Sequence, residues 1–259
     1  MVSILLPLYI YPAAGSWEPL LSVAQSHPSI SFTAVINPNN GPGAGTLPDA
    51  NYIAALKSFK SYPNVHLIGY VCCRYGDRDA NLIDQDVVIY SHWQDELALL
   101  GESGVSIDGI FFDEVPAELE YVELMYNVSS HVRNTWNNGL GKEATVIFNP
   151  GVIVDEAFYD QADLIVAFEE SQANLVDFLD STKELSAENR AKSAAIVHTY
   201  QGTVDELTTL VDGVKNAGLG GVFVTDQAGG LYNQWPRWWD SLVELLSISP
   251  SPVASPQKC

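Results

Sequence analysis

Short apolar runs of strand length alternate with helical stretches eight times along the chain, and this alternation limits the possible folds more than any other feature. The runs cover residues 4–10, 31–36, 66–71, 107–112, 145–148, 164–168, 194–197 and 221–225. They are continuously apolar, which is typical of parallel strands covered on both faces. This order of elements predicts a parallel α/β sheet.

The segments between these runs carry apolar residues at helical spacing, such as Leu207, Leu210 and Val214. Helix starts are predicted at Pro116, at Pro48-Asp49 and at 203–206. Eight βα units in 259 residues match a single (β/α)8 TIM barrel, which needs about 250 residues. The alternative is a doubly wound open sheet, which usually has fewer strands and a glycine-rich phosphate turn.

We therefore predict one barrel domain over residues 1–248, followed by a disordered Ser/Pro-rich tail at 249–259. The chain has 32 acidic and 12 basic residues, a formal charge of −20. This balance argues against binding nucleic acid or an anionic membrane surface, both of which need basic patches. No apolar run approaches the roughly 20 residues of a membrane span. We expect a monomer whose partner is neutral or cationic.

Polar residues follow the predicted strands, at the end where the βα loops of a barrel gather and active sites lie. In chain order they are Tyr11, Asn37, Arg74, Tyr75, Asp113, Glu114, Asn149, Glu169, Glu170, His198, Tyr200, Asp226 and Gln227. Asp108 and Asp163 stand at strand beginnings instead, which indicates a structural role. The pattern predicts an active-site mouth at one end of the barrel.

The sequence lacks the residues that several kinds of catalytic site require. No GxSxG motif is present for a serine hydrolase. The five histidines form no HxH or HExxH pair, and the cysteines Cys72, Cys73 and Cys259 have no metal-ligand spacing, so neither a metal nor a cofactor is predicted. Carboxylates are in excess at the mouth, and glycoside hydrolysis needs two of them. The alternative is that these acids only cap helices.

Asp113, Glu114 and Glu169 are therefore the candidate catalytic residues. Neighbours on a strand point to opposite sides, so we expect Asp113 and Glu114 to have different roles. Aromatic residues in the loops could stack on sugar rings: Trp17, Tyr75, Tyr200, Tyr232 and Trp235. Four further tryptophans at helical positions are predicted to be core: Trp93, Trp136, Trp238 and Trp239.

Several linked motifs resemble the spherulin-4 (spherulation-specific) proteins, which form family 135 of the glycoside hydrolases. They are LPLYIYP at 6–12, GSWEPL at 15–20, INPNNGPG at 36–43, GYV at 69–71 and DGIFFDE at 108–114. The similarity runs in order from the first strand to the last helix and leaves only the tail outside. Where the family usually has a polar residue after Gly-Tyr-Val, this chain has Cys72-Cys73.

The resemblance implies a (β/α)8 fold and an endo-α-1,4-N-acetylgalactosaminidase that cleaves galactosaminogalactan, a fungal cell-wall and biofilm polysaccharide. It places the family's acidic residues on Asp113, Glu114 and Glu169. By analogy, Asp113 would be the nucleophile, Glu169 the acid/base, and Glu114 would hold the substrate. The candidate substrate contacts are Tyr11, Asn37, Asn149, His198, Asp226, Tyr232 and Trp235.

Other functions stay open at this stage. The barrel could hydrolyse a different galactose or galactosamine glycan, or bind carbohydrate without hydrolysis. The localisation is also open. The resemblance implies an extracellular or cell-wall protein, but the first residues carry no signal-peptide pattern, which allows a cytosolic one.

Overall fold

Eight parallel strands close into a barrel in the structure, a computed structural model that describes residues 2–101 and 106–248. The strands are β1 (Ser3–Leu8), β2 (Phe32–Ile36), β3 (Val65–Cys72), β4 (Gly109–Asp113), β5 (Thr145–Asn149), β6 (Leu164–Ser171), β7 (Ser193–His198) and β8 (Gly221–Val224). Each pairs with the next, and β8 returns to β1 through the pair Ser3 and Gly221. The predicted (β/α)8 barrel is confirmed.

Helices cover the outside of the barrel. They are α1 (Glu18–Ser26), α2 (Ala50–Ser58), α3 (Ala80–Leu99), α4 (Val122–Thr135), α5 (Glu156–Tyr159), α6 (Leu175–Ser181), α7 (Ala187–Ala191), α8 (Val204–Ala217) and α9 (Trp239–Ser247). Two predicted starts are confirmed, since Asp49 caps α2 and Thr203 forms a capping box with Glu206 at α8. The start predicted at Pro116 is wrong, because α4 begins at Val122 after a short 3₁₀ turn.

The core lies between the helices and the barrel wall as well as inside the barrel. The strands are buried almost throughout, which explains their continuously apolar sequence. Trp93, Trp136 and Trp239 are buried as predicted, whereas Trp238 is only half-buried, with the Arg237 guanidinium over its ring. No helix among the described residues is long and apolar enough to cross a bilayer.

Acidic side chains at the strand beginnings connect neighbouring strands. Asp163 Oδ2 accepts a hydrogen bond of 2.7 Å from the Val146 N–H at the start of β5. Asp108 Oδ2 accepts one of 3.2 Å from the Leu67 N–H in β3. These contacts lie at the end of the barrel opposite to the strand termini that the sequence analysis singled out, so these two acids stabilise the wall.

Two strand boundaries differ from the prediction in a way that matters for the site. Strand β1 ends at Leu8 rather than at residue 10, and β6 runs on to Ser171 rather than ending at Phe168. A register shift between Val166 and Phe168 interrupts the pairing of β6 with β7. Such a bulge changes the phase of side-chain alternation for the residues after it. The predicted tail at 249–259 lies outside the described residues.

Candidate active site

The loops at the carboxyl end of the barrel hold non-glycine residues in the left-handed backbone region. These residues, with φ between 40° and 54°, are Asn40, Arg74, Tyr75, Glu114, Thr199 and Tyr232. Each one follows a strand, and the conformation is uncommon for residues with a Cβ. Backbone strain of this kind clusters at functional sites in proteins, so this end of the barrel is where a site is expected.

Asp113, the last residue of β4, accepts two hydrogen bonds. The Tyr70 hydroxyl on β3 donates to Asp113 Oδ2 at 2.7 Å, and the Asn149 side-chain amide on β5 donates to Oδ1 at 2.7 Å. Burial raises the pKa of Asp113 to about 6, and the neighbouring Glu169 carboxylate acts in the same direction. The hydrogen bonds from Tyr70 and Asn149 oppose this rise by favouring the ionised form.

Glu169 lies on β6, on the other side of Asn149. The Asn149 amide donates to Glu169 Oε2 at 2.6 Å, and the Tyr232 hydroxyl donates to Oε1. Strand β5 lies between β4 and β6, so its last side chain reaches both carboxylates. The two bonds of 2.7 and 2.6 Å to one amide nitrogen limit the distance between Asp113 Oδ1 and Glu169 Oε2 to 5.3 Å.

Glu114 follows the strand with a φ of 51°, so the alternation expected for neighbouring strand residues does not apply to it. Its side chain lines the same cavities as Asp113. The Cys72 thiol donates to Glu114 Oε2 at 3.1 Å, and burial together with this bond raises the pKa of the thiol. The cysteine at the position that departs from the family pattern therefore contacts one of the three acids.

Three tyrosine rings pack against one another beside the two carboxylates. Tyr9 packs edge-on against Tyr70 and Tyr232, with ring centroids 5.7 and 5.8 Å apart. Tyr70 and Tyr232 are the donors to Asp113 and Glu169. Sequence reasoning missed Tyr9 and Tyr70, because a tyrosine within an apolar strand resembles a core residue. The signal available was that each hydroxyl stands one residue before a predicted strand end.

Two connected cavities meet at the carboxylates. The inner cavity, of about 270 Å³, lies over the barrel interior and is lined by Tyr9, Asn37, Phe111 and Ile196 among others. The outer cavity, of about 420 Å³, lies among the loops. Both are lined by the same central residues: Asp113, Glu114, Asn149, Glu169 and Gly230. A molecule that spans the two cavities would pass directly over the acids.

Of the predicted substrate contacts, Asn37, Asn149, His198 and Tyr232 line these cavities. Asn37 Oδ1 also accepts the Gly41 N–H at 3.0 Å and so holds its loop. The His198 ring lies 3.9 Å from Glu170 Oε1. Asn149 Oδ1 is buried and has no hydrogen-bond partner within the described residues.

The structure does not bring Tyr11, Asp226 or Trp235 into the cavities. Because β1 ends at Leu8, the Tyr11 ring points to α2, where its hydroxyl donates to Asp49 at 2.9 Å. Asp226 accepts the Arg237 N–H, and the Trp235 indole donates to the Ser16 carbonyl. All three polar groups thus stabilise loops.

Two of the loop aromatics predicted to stack on sugars, Trp17 and Tyr200, are buried and do not line either cavity. The Trp17 side chain is 3% exposed and its indole donates to the Ile10 carbonyl. The Tyr200 hydroxyl donates to the Thr203 carbonyl. Both rings close the rim from inside.

The chemical capacity of the site follows from its groups. Two carboxylates at close range can act as an acid/base and a nucleophile. Within residues 2–101 and 106–248, no three His, Cys, Asp or Glu side chains are grouped as metal ligands would be.

Comparison with known proteins places this site in a family. A profile described as spherulation-specific family 4 matches residues 3–246. The crystal structure of Aspergillus clavatus Sph3 in complex with GalNAc is similar at 31% identity and a TM-score of 0.87, over 95% of this chain and 98% of that one.

More distant structures share the fold alone. A chitinase from Bacteroides thetaiotaomicron has 8% identity and a TM-score of 0.57, over 95% of this chain and 96% of its own. An endo-β-1,4-mannanase from Thermotoga petrophila has 11% identity and a TM-score of 0.58, over 95% and 75%. A search of curated protein sequences gives no match. The profile and the Sph3 structure each cover nearly the whole barrel, and the chain belongs to the spherulation-specific family 4.

Proposed function

We propose that the protein is a glycoside hydrolase with Asp113 and Glu169 as its catalytic pair. The observation that carries this is the separation of at most 5.3 Å between the two facing carboxylate oxygens, across one amide and beneath a cleft. Retaining glycosidases hold their carboxyl groups about 5–5.5 Å apart, whereas inverting ones need ~6.5–9.5 Å to admit a water. We propose a retaining reaction because the facing oxygens are this close, and the anomeric form of the first product tests it.

In this mechanism Asp113 attacks the anomeric carbon while Glu169 donates a proton to the leaving glycosidic oxygen. The C1–O bond breaks and an ester forms between C1 and Asp113. Glu169 then takes a proton from a water molecule, the water oxygen bonds to C1, and Asp113 leaves as a carboxylate. Glu114 holds the substrate beside Asp113, oriented by the Cys72 thiol.

Asp113 has to be ionised to act as the nucleophile. Its pKa of about 6 makes the carboxylate available only above mildly acidic pH. Tyr70 donates to one of its carboxylate oxygens and Asn149 to the other, and these bonds favour the ionised form. We therefore expect an acidic limb near pH 6 in the dependence of kcat/KM on pH, subject to coupling with Glu169.

We propose an α-1,4-linked N-acetylgalactosamine polymer of the galactosaminogalactan type as the substrate, cleaved internally. The family and the GalNAc bound in Sph3 support a galactosamine unit. The charge of −20 fits a polymer made cationic by partial deacetylation, since an acidic surface raises the local concentration of cations. The partner is thus a polysaccharide that binds across the rim.

The test incubates the purified protein with partly deacetylated galactosaminogalactan and measures product masses and the anomeric form of the first product. Wild type should release oligosaccharides with the α-anomer first. Asp113→Asn and Glu169→Gln should lose about three orders of magnitude in kcat. Asp212→Asn, on the exposed side of α8, is the matched control and should keep full activity.

Azide separates the roles of the two acids. With an activated α-glycoside, Asp113→Gly should give a β-glycosyl azide, because azide replaces the nucleophile. Glu169→Ala should give an α-glycosyl azide, because azide replaces the water. The opposite pairing would exchange the two roles. Tight binding of the polymer without product would instead establish a non-hydrolytic carbohydrate-binding barrel, and cleavage only of another galactose or galactosamine glycan would correct the substrate.

A further inference from the structure

The outer cavity has an exposed aromatic ring at its edge. The Tyr75 side chain is 62% exposed, whereas the rim aromatics Trp17, Tyr200 and Tyr232 are nearly buried. Among the residues lining the outer cavity, Tyr75 is the one with an aromatic ring open to solvent. An exposed ring beside a cavity is a surface on which a flat partner can stack.

The backbone around Tyr75 adopts an unfavourable conformation. Arg74, Tyr75 and Gly76 follow one another in the left-handed region, with φ of 49°, 52° and 89°. That conformation is unfavourable for residues with a Cβ. Strain of this kind persists only where the surroundings enforce it, and it commonly accompanies function.

Specific contacts enforce the conformation. The Tyr75 N–H donates to the Glu114 carbonyl at 2.6 Å, and the Gly76 N–H donates to the Cys73 carbonyl at 3.1 Å. The Tyr121 ring covers Gly76 so closely that a Cβ there would overlap it. The backbone at Tyr75 is therefore tied to the residue next to Asp113, which places the start of this side chain close to the carboxylates.

The Tyr75 ring shares the outer cavity with all three candidate catalytic acids. Val152 and His198 line the same cavity, and so do Asp113, Glu114 and Glu169. Burial raises the pKa of Tyr75, and the charges of Glu114, Asp113 and Glu169 act in the same direction. The cavity thus offers an apolar ring on one side and acceptors for sugar hydroxyls on the other.

We propose that the outer cavity binds the sugar on the leaving-group side of the cleaved bond, and that Tyr75 is the platform on which its pyranose ring stacks. This rests on the proposed function. The inner cavity, lined by Phe111 and Ile196 among others, is the more enclosed of the two and suits the sugar whose C1 reacts. The leaving sugar then occupies the open cavity, from which it can depart.

The test compares two substrates that differ only in the leaving group. An α-1,4-linked N-acetylgalactosamine oligosaccharide fills both cavities, whereas N-acetyl-α-galactosaminyl fluoride leaves the outer one empty. Tyr75→Ala should lower kcat/KM for the oligosaccharide by about tenfold, as expected for the loss of one ring contact, and should change that for the fluoride by less than about twofold. Tyr75→Phe keeps the ring and should retain most of the activity on both.

Tyr75→Asn repeats the test with a residue that tolerates the left-handed conformation. Equal losses on both substrates would overturn the assignment, because the ring would then act by holding Glu114. Unchanged activity on the oligosaccharide would also overturn it. In both cases an active wild type leaves the proposed function standing, whereas a wild type inactive on both substrates would refute that function and this assignment together.

Discussion

Replacing Tyr70 by phenylalanine removes a single hydrogen bond from Asp113 and little else. The Tyr70 ring is buried, stacks on Phe111 at 6.3 Å and packs edge-on against Tyr9, contacts that phenylalanine would keep. The lost group is the hydroxyl that donates to Asp113 Oδ2 at 2.7 Å. Because that bond favours the carboxylate, its removal should raise the pKa of Asp113 further above about 6.

The expected size follows from the kind of bond. A hydrogen bond to a charged group contributes about 1.5–3 kcal/mol, and one pKa unit corresponds to about 1.4 kcal/mol. The acidic limb of kcat/KM should therefore move up by about one to two pH units in Tyr70→Phe. Activity should fall several-fold or more near pH 6.5, where less of Asp113 is then ionised, and recover at higher pH.

The assay is the pH dependence of kcat/KM for both proteins between about pH 4.5 and 9. Tyr232→Phe is the matched control, since it removes the corresponding tyrosine donor from Glu169. It should move the acidic limb less than Tyr70→Phe does, because Glu169 affects the pKa of Asp113 only through its charge. If the limb stays in place in Tyr70→Phe while activity falls at every pH, Asp113 does not set it and the reasoning fails.

The same variant should lose stability in a pH-dependent way. The bond stabilises the ionised form, so its contribution is present above the pKa of Asp113 and disappears as the pH falls through about 6. Thermal unfolding of Tyr70→Phe should differ more from wild type at pH 7.5 than at pH 5. A constant difference would indicate a packing effect instead.

Three further predictions concern separate parts of the molecule. Gly109→Ala should destabilise the barrel by about 3 kcal/mol or more in thermal unfolding, because the added Cβ overlaps the Thr145 carbonyl oxygen, whereas Gly139→Ala has open space and should be nearly neutral. Cys72→Ala should lower kcat/KM several-fold by releasing Glu114, and Cys72→Ser, which keeps a donor, should retain most of it; equal effects would exclude the hydrogen bond as the cause. Activity on the partly deacetylated polymer should decrease with added salt more than activity on the fully acetylated polymer, and no difference would refute electrostatic attraction by the acidic surface.

The barrel could be predicted because each strand and each helix is marked by a pattern within its own short stretch of sequence. Continuous apolar runs mark the strands, and residues directly after them, such as Asp113 and Asn149, meet at one end in any parallel barrel. The distance between their side chains could not be predicted, because it depends on register. For Glu169 the decisive feature is the shift after Val166, which no propensity marks.

Tyr9 and Tyr11 show most clearly what could not be predicted from the sequence. Both follow the same apolar run, and the choice between them depends on where β1 ends. Since it ends at Leu8, Tyr9 lines the inner cavity and Tyr11 bonds to Asp49 on the outside. A difference of two residues in a strand boundary, which sequence patterns do not resolve, thus decides which hydroxyl belongs to the site.

The side-chain amide of Asn149 contacts both candidate catalytic acids, so its NMR signals should report on them. Both amide hydrogens are used, one toward Asp113 and one toward Glu169, and the amide oxygen has no hydrogen-bond partner in the part of the chain that the structure describes. Rotation of this amide is therefore opposed from both sides, and each hydrogen reports on one acid. In a ¹⁵N-labelled protein the two proton resonances should be well separated. When Asp113 becomes esterified and Glu169 has given up its proton, both resonances should shift, which would let NMR follow the intermediate without any added probe.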